Sequence, residues 1–121
     1  MSTQVDLPAR AFEFSCAIVR LCRQLNKMTA VDRTLSRQIL RAGTSVGANI
    51  EEAQAGYSRP DFINKMSIAC KEARETHYWL RLLAATDCPK NIVLTDLLNE
   101  ADQLVSILTA IVKNSRKAHQ V

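Results

Sequence analysis

Two helical patterns joined by a very short break constrain this chain more than any other feature. In the first, apolar or small residues recur at Leu35, Ile39, Ala42, Val46, Ile50 and Ala53. In the second they recur at Phe62, Met66, Ala69, Ala73, Thr76, Leu80 and Leu83. Steps of three and four put each set on one side of an α-helix. Only Gly56, Tyr57, Ser58, Arg59 and Pro60 separate them. A connection that short makes the two helices antiparallel neighbours. The stretch from Ser36 to Leu83 therefore reads as the central hairpin of a helical bundle.

The flanks supply two more helices. Phe14, Ile18, Leu21, Leu25 and Met28 step by four and three behind Pro8, which suits a first helical turn. Leu97, Ala101, Leu104, Leu108 and Ile111 form a last inner stripe, widened by Leu94, Leu98, Val105 and Val112. The expected helices cover about residues 8–27, 30–55, 60–85 and 92–116, with residues 1–7 frayed and 117–121 loose. Thr29 or Asp32 is expected to cap the second helix, and Ser58 or Asp61 the third. Gly56 stops the second. Asp87 to Asn91 reads as a turn. The predicted fold is all-α, a single antiparallel up-down-up-down four-helix bundle over residues 1–121.

Composition supports that class. Hydrophobic residues make up 47% of the chain, enough for a core and too many for a disordered segment. With three Gly, three Pro and no β-branched alternation, a sheet is not expected. Asp6, Pro8, Arg10 and Glu13 break up any signal-like start, and no stretch approaches the roughly 20 apolar residues of a membrane span. The expectation is a cytoplasmic protein with no membrane partner. The cysteines Cys16, Cys22, Cys70 and Cys88 form no Cys-x-x-Cys pair, which removes zinc-ribbon and thioredoxin-like readings. The first three read as small residues in or near the core, and Cys88 as a loop thiol.

Catalytic chemistry finds little support. A di-iron bundle needs two Glu-x-x-His motifs, and neither His77 nor His119 has a Glu three residues before it. No Gly-rich phosphate loop or Ser-His-Asp order occurs. Glu52, Glu72 and Glu75, with Arg41 and Arg74, read as an interhelical ion-pair network rather than an acid–base pair. Lys71 and Glu75 stand four apart and can pair. Asn49 lies beside the core stripe, where its amide could fix helix register. No catalytic residue, cofactor or metal ligand is assigned, and the chain is expected not to be an enzyme.

Two kinds of surface remain. Arg20, Arg23 and Lys27 form a basic stripe on the first helix, and Arg33, Arg37 and Arg41 another on the second. Regularly spaced cations can neutralise nucleic-acid phosphates without reading sequence. The formal net charge is +4, and five copies in one particle would carry about +20. Gly43 and Gly47 each cost about 1 kcal/mol relative to Ala in mid-helix, so close approach of another helix is expected there. Tyr78 and Trp79 cannot both face one core. Gly43, Gly47, Tyr78 and Trp79 are the candidate subunit contacts.

From Gln38 to Ala53, QILRAGTSVGANIEEA, the sequence resembles the four-helix bundle family named for proteins encoded in intervening sequences of bacterial 23S rRNA genes. The likeness continues through Ser58, Asp61-Phe62, Met66 to Ala69, Lys71 to Ala73 and Glu75-Thr76. The resemblance implies a small bacterial cytosolic protein of antiparallel helices that assembles into a homopentameric ring. One branch of the family is the accessory variability determinant of diversity-generating retroelements, a basic barrel that binds nucleic acid and a reverse transcriptase. The present chain is less basic. The family implies no catalytic residues.

The function expected is thus a non-enzymatic homo-oligomer that binds DNA or RNA, or a protein partner, through its basic surfaces. The competing expectation is a structural or protein-interaction scaffold with no nucleic-acid role.

Overall fold

The first three helices each start where a side chain caps them. A computed structural model describes residues 6–56, 58–86 and 91–120, with the side chains of 119 and 120 excepted. The expectations for Tyr57, for Asp87 to Lys90 including Cys88, and for the side chain of His119 lie outside the described residues. Helix α1 spans Leu7–Leu25, α2 Ala30–Ala53, α3 Arg59–Ala85 and α4 Thr95–Gln120. The Asp6 carboxylate accepts the Ala9 N–H at 3.1 Å and so caps α1. Thr29 and Asp32 cap α2 together: the Thr29 hydroxyl accepts the Asp32 N–H and the Asp32 carboxylate accepts the Thr29 N–H. The Ser58 hydroxyl accepts the Asp61 N–H at the start of α3. Gly56, with φ +85°, takes the chain out of α2 in a conformation that L side chains rarely adopt.

Consecutive helices pack side by side, α1 on α2, α2 on α3 and α3 on α4, and α4 returns more sparsely to α1. The α1–α2 register shows the antiparallel sense directly. Ser15 lies against Gly47, Ile18 against Gly43 and Cys22 against Ser36, so rising numbers on α1 meet falling numbers on α2. The result is the all-α four-helix bundle that the periodicity predicts. Ile18, Leu25, Ile39, Ile50, Met66, Leu80, Leu83, Leu104 and Leu108 are its largest fully buried apolar side chains.

Helix ends depart from the sequence expectations by a few residues, and α1 and α2 stop two residues early, at Leu25 and Ala53. Helix α1 begins at Leu7 rather than at Pro8, and Leu7 is buried, so the chain is anchored before the proline. Helix α4 begins at Thr95, later than the expected 92, because Ile92 and Leu94 reach the core from non-helical backbone. It then runs to Gln120, through residues expected to be loose, since no Gly or Pro interrupts it and Lys, Arg, Ala and Gln favour helix.

Candidate functional site

The two glycines of α2 let α1 come close. A Cβ on Gly43 would lie 2.8 Å from Ile18 Cγ2, and one on Gly47 would lie 3.0 Å from Ser15 Oγ and 3.3 Å from the Ala11 carbonyl oxygen. Both glycines are buried within the chain. The close approach expected from their cost in mid-helix is therefore made by α1 of the same chain. Next to them, the Ser36 hydroxyl donates to the Cys22 carbonyl at 3.3 Å, and the Cys22 thiol donates to the Ser36 carbonyl at 3.5 Å. Burial is the larger influence on the Cys22 thiol and pushes its pKa up. Asn49 donates to the Ser45 carbonyl of its own helix at 2.8 Å, so it does not set register between helices.

The six cations of the two stripes are all exposed, but they differ in what holds them. Arg41 reaches α3, where it pairs with Glu72 at 3.4 Å and with Glu75. Glu75 also accepts the Trp79 indole N–H at 3.0 Å. This is the interhelical network expected at Arg41, Glu72 and Glu75. Arg74 and Glu52 stand outside it, and Glu75 takes Arg41 rather than Lys71. Arg33 donates to the Met28 carbonyl at 2.9 Å, and Arg37 to the Thr34 hydroxyl at 3.2 Å. Neutral acceptors orient these guanidinium groups and leave their charge uncancelled. Among the described residues, no carboxylate lies within 4.0 Å of Arg20, Arg23, Lys27, Arg33 or Arg37.

The outer face of α1 and α2 also carries apolar surface. Phe12 is 62% exposed and Leu40 39%, with the half-buried Val19 and Cys16 beside Phe12. Phe12 and Ser15 line a shallow cleft with Thr44, Ala48 and Glu51 of α2. Sequence periodicity alone did not single out Phe12. The signal available was its place one residue out of step with Ala11 and Phe14. On α3, Tyr78 is 49% exposed while Trp79 packs against the core, their rings 5.2 Å apart and edge-on. The two aromatics do divide between surface and core. The Arg81 guanidinium lies over the Tyr78 ring.

Among the described residues, no group of three or more His, Cys, Asp or Glu side chains is placed to hold a metal ion. No helix among them is long and apolar enough to cross a membrane. Fold and surface together define a small all-α four-helix bundle protein with uncancelled basic charge along α1 and α2. The chain belongs to the family of 23S rRNA-intervening sequence proteins, whose model matches residues 3–110. It is also similar to a crystal structure from Bacteroides thetaiotaomicron, described as a protein of unknown function from the S23 ribosomal protein family. The two are 41% identical, the match covers 88% of this chain and 97% of the other, and the TM-score is 0.76. No curated protein matches the chain.

Proposed function

We propose that this protein is a non-enzymatic, self-assembling bundle of the bacterial cytoplasm that binds nucleic acid through the phosphate backbone. The observation that carries the reading is the group of five exposed cations on α1 and α2, Arg20, Arg23, Lys27, Arg33 and Arg37, with no carboxylate partner among the described residues. Such charges release counterions when they meet phosphates, and they need no base contacts to do so. Assembly would repeat the group around a ring and multiply its field. The family resemblance supports five copies. Exposed Phe12, with the half-buried Val19 and Cys16 beside it, offers apolar area for copies to meet.

The test is binding of nucleic-acid-free protein to generic DNA and RNA duplexes across a salt series. The expected log–log slope is several units, at about 0.9 for each phosphate neutralised. No binding at low salt would overturn the reading. In that case the exposed apolar surface around Phe12 favours a protein-interaction scaffold, and Phe12→Ser, followed by light scattering, tests whether that surface joins copies of the chain. An unchanged mass would count against it.

A further inference from the structure

The opposite side of the bundle holds a second concentration of positive charge, which the α1 and α2 stripes do not include. A cleft of about 380 Å³ opens between α3 and α4. Arg74 enters it from α3, and Lys113, Arg116 and Lys117 from α4. The packing register creates this convergence. Cys70 lies against Thr109 at 3.4 Å, and Arg116 reaches Ser67 at 3.3 Å, so the last turns of α4 run beside the first half of α3.

Three properties make the cleft fit an anion. First, among the described residues no carboxylate lines it and none lies within 4.0 Å of its four cations. The nearby acids of α3, Glu72 and Glu75, are engaged by Arg41 from α2. Second, neutral contacts hold both guanidinium groups. Arg74 donates to the Cys70 sulfur at 3.4 Å and Arg116 to the Ser67 hydroxyl at 3.3 Å. Each guanidinium carries five N–H donors, so most remain free to bind. Third, the hydroxyls of Ser67 and Thr109 sit among the cations over a floor of buried Cys70 and Val112. The floor is apolar and the rim is charged. Its size falls in the range of small-molecule sites.

We propose that this cleft binds a chain of two or three phosphates. A single phosphate carries at most two negative charges near neutrality and would leave half the cationic set unmatched. A di- or triphosphate matches it. Arg suits the planar, two-point grip on phosphate oxygens, and Lys supplies compact charge at the rim. This site goes beyond the backbone binding proposed for α1 and α2 and shares no residue with it, so either can fail alone.

Titration calorimetry on the full chain, at physiological salt and without divalent cations, tests the proposal with tripolyphosphate, pyrophosphate and orthophosphate. One tripolyphosphate or pyrophosphate per cleft is expected, with orthophosphate at least tenfold weaker. Arg74→Gln and Arg116→Gln should each weaken binding tenfold or more, and Arg33→Gln/Arg37→Gln should not. All four side chains are exposed, so the variants should fold. Amide shifts at Ser67 and Thr109 on adding tripolyphosphate to the unaltered protein provide a readout free of mutation. The same titrations identify the source of the phosphates. ATP matching or exceeding tripolyphosphate indicates a nucleotide, and a 5′-triphosphate RNA binding more tightly than ATP indicates a nucleic-acid end. The proposal is overturned by no binding of either polyphosphate, by equal binding of orthophosphate, by shifts that bypass Ser67 and Thr109, or by a loss in Arg33→Gln/Arg37→Gln as large as in the cleft variants.

Discussion

Ile18 of α1 fills the space that a side chain on Gly43 of α2 would need, with its Cγ2 and Cγ1 atoms 2.8 and 2.9 Å from that Cβ position. Ile18 is fully buried and β-branched, so it has little freedom to turn aside. The contact turns a poor helix residue into a helix–helix interface.

Gly43→Ala should therefore destabilise the protein despite improving helix propensity. Overpacking costs about 1–3 kcal/mol, against about 1 kcal/mol gained from removing a mid-helix glycine. A net loss of up to about 2 kcal/mol is expected by urea unfolding. The two sites should also couple: in a double-mutant cycle with Ile18→Ala, the penalty at position 43 should shrink. If Gly43→Ala is as stable as the parent, the close approach is not what fixes α1 on α2.

The Cys22–Ser36 pair gives a pH prediction. Burial raises the folded thiol above its ordinary value, so the unfolded chain loses this proton first as pH rises. Fewer protons bound in the unfolded state means that stability falls with rising pH. The fall attributable to Cys22 should begin at about pH 8.5, the ordinary thiol value, and continue to the raised folded value. Chemical denaturation at pH 7 and pH 10 should show a smaller alkaline loss in Cys22→Ala than in the parent. At neutral pH, Ser36→Ala should cost about 1 kcal/mol or less, because the Cys22 carbonyl keeps its bond from the Asn26 N–H at 2.9 Å.

The helices were legible because burial follows their period. Every residue named in the α3 stripe is buried except Phe62, which is half-buried, and α2 differs only at Leu35. Places where one element meets another were harder to read. Gly43 and Gly47 announced a close neighbour, but nothing local said that the neighbour was α1 of the same chain. Asp6 caps α1 ahead of Pro8, where no apolar periodicity yet marks a helix start. The α3–α4 cleft was missed because Arg74 and Lys113 are far apart in sequence. Only the antiparallel register, visible in Cys70–Thr109 and Ser67–Arg116, brings them together.

Among the described residues, one ion pair joins the first and last helices. Arg10 donates Nε and Nη2 to the two Glu100 oxygens at 2.6 and 2.7 Å, and Nη2 also reaches Gln103 at 2.6 Å. The carboxylate pushes the Arg10 pKa further up. Both side chains are about a quarter exposed, at 23% and 28%, so solvent screening limits the gain. The Arg10→Gln/Glu100→Gln cycle should give a coupling of about 1 kcal/mol that shrinks in 1 M salt. A coupling of zero would leave α1–α4 closure to apolar contact alone.

The structure separates Arg41 from the rest of its stripe, and charge reversal can expose the difference. Arg41→Glu would set a third carboxylate beside Glu72 and Glu75, where Arg41 now pairs with both. Like charges at that range repel, and the α2–α3 contact should weaken by about 1–2 kcal/mol. Its effect on nucleic-acid affinity should be small, since that cation is already neutralised in the free protein. Arg33→Glu and Arg37→Glu should behave in the opposite way. Their partners are a carbonyl and a hydroxyl, so stability should change by less than about 0.5 kcal/mol. Each should lower the salt slope of binding by about one unit. Measuring melting and duplex affinity on all three variants decides the matter. Equal losses of affinity at positions 33, 37 and 41 would mean that the Glu72–Glu75 pair releases Arg41 when nucleic acid binds. Affinity unchanged by all three would remove α2 from the binding surface.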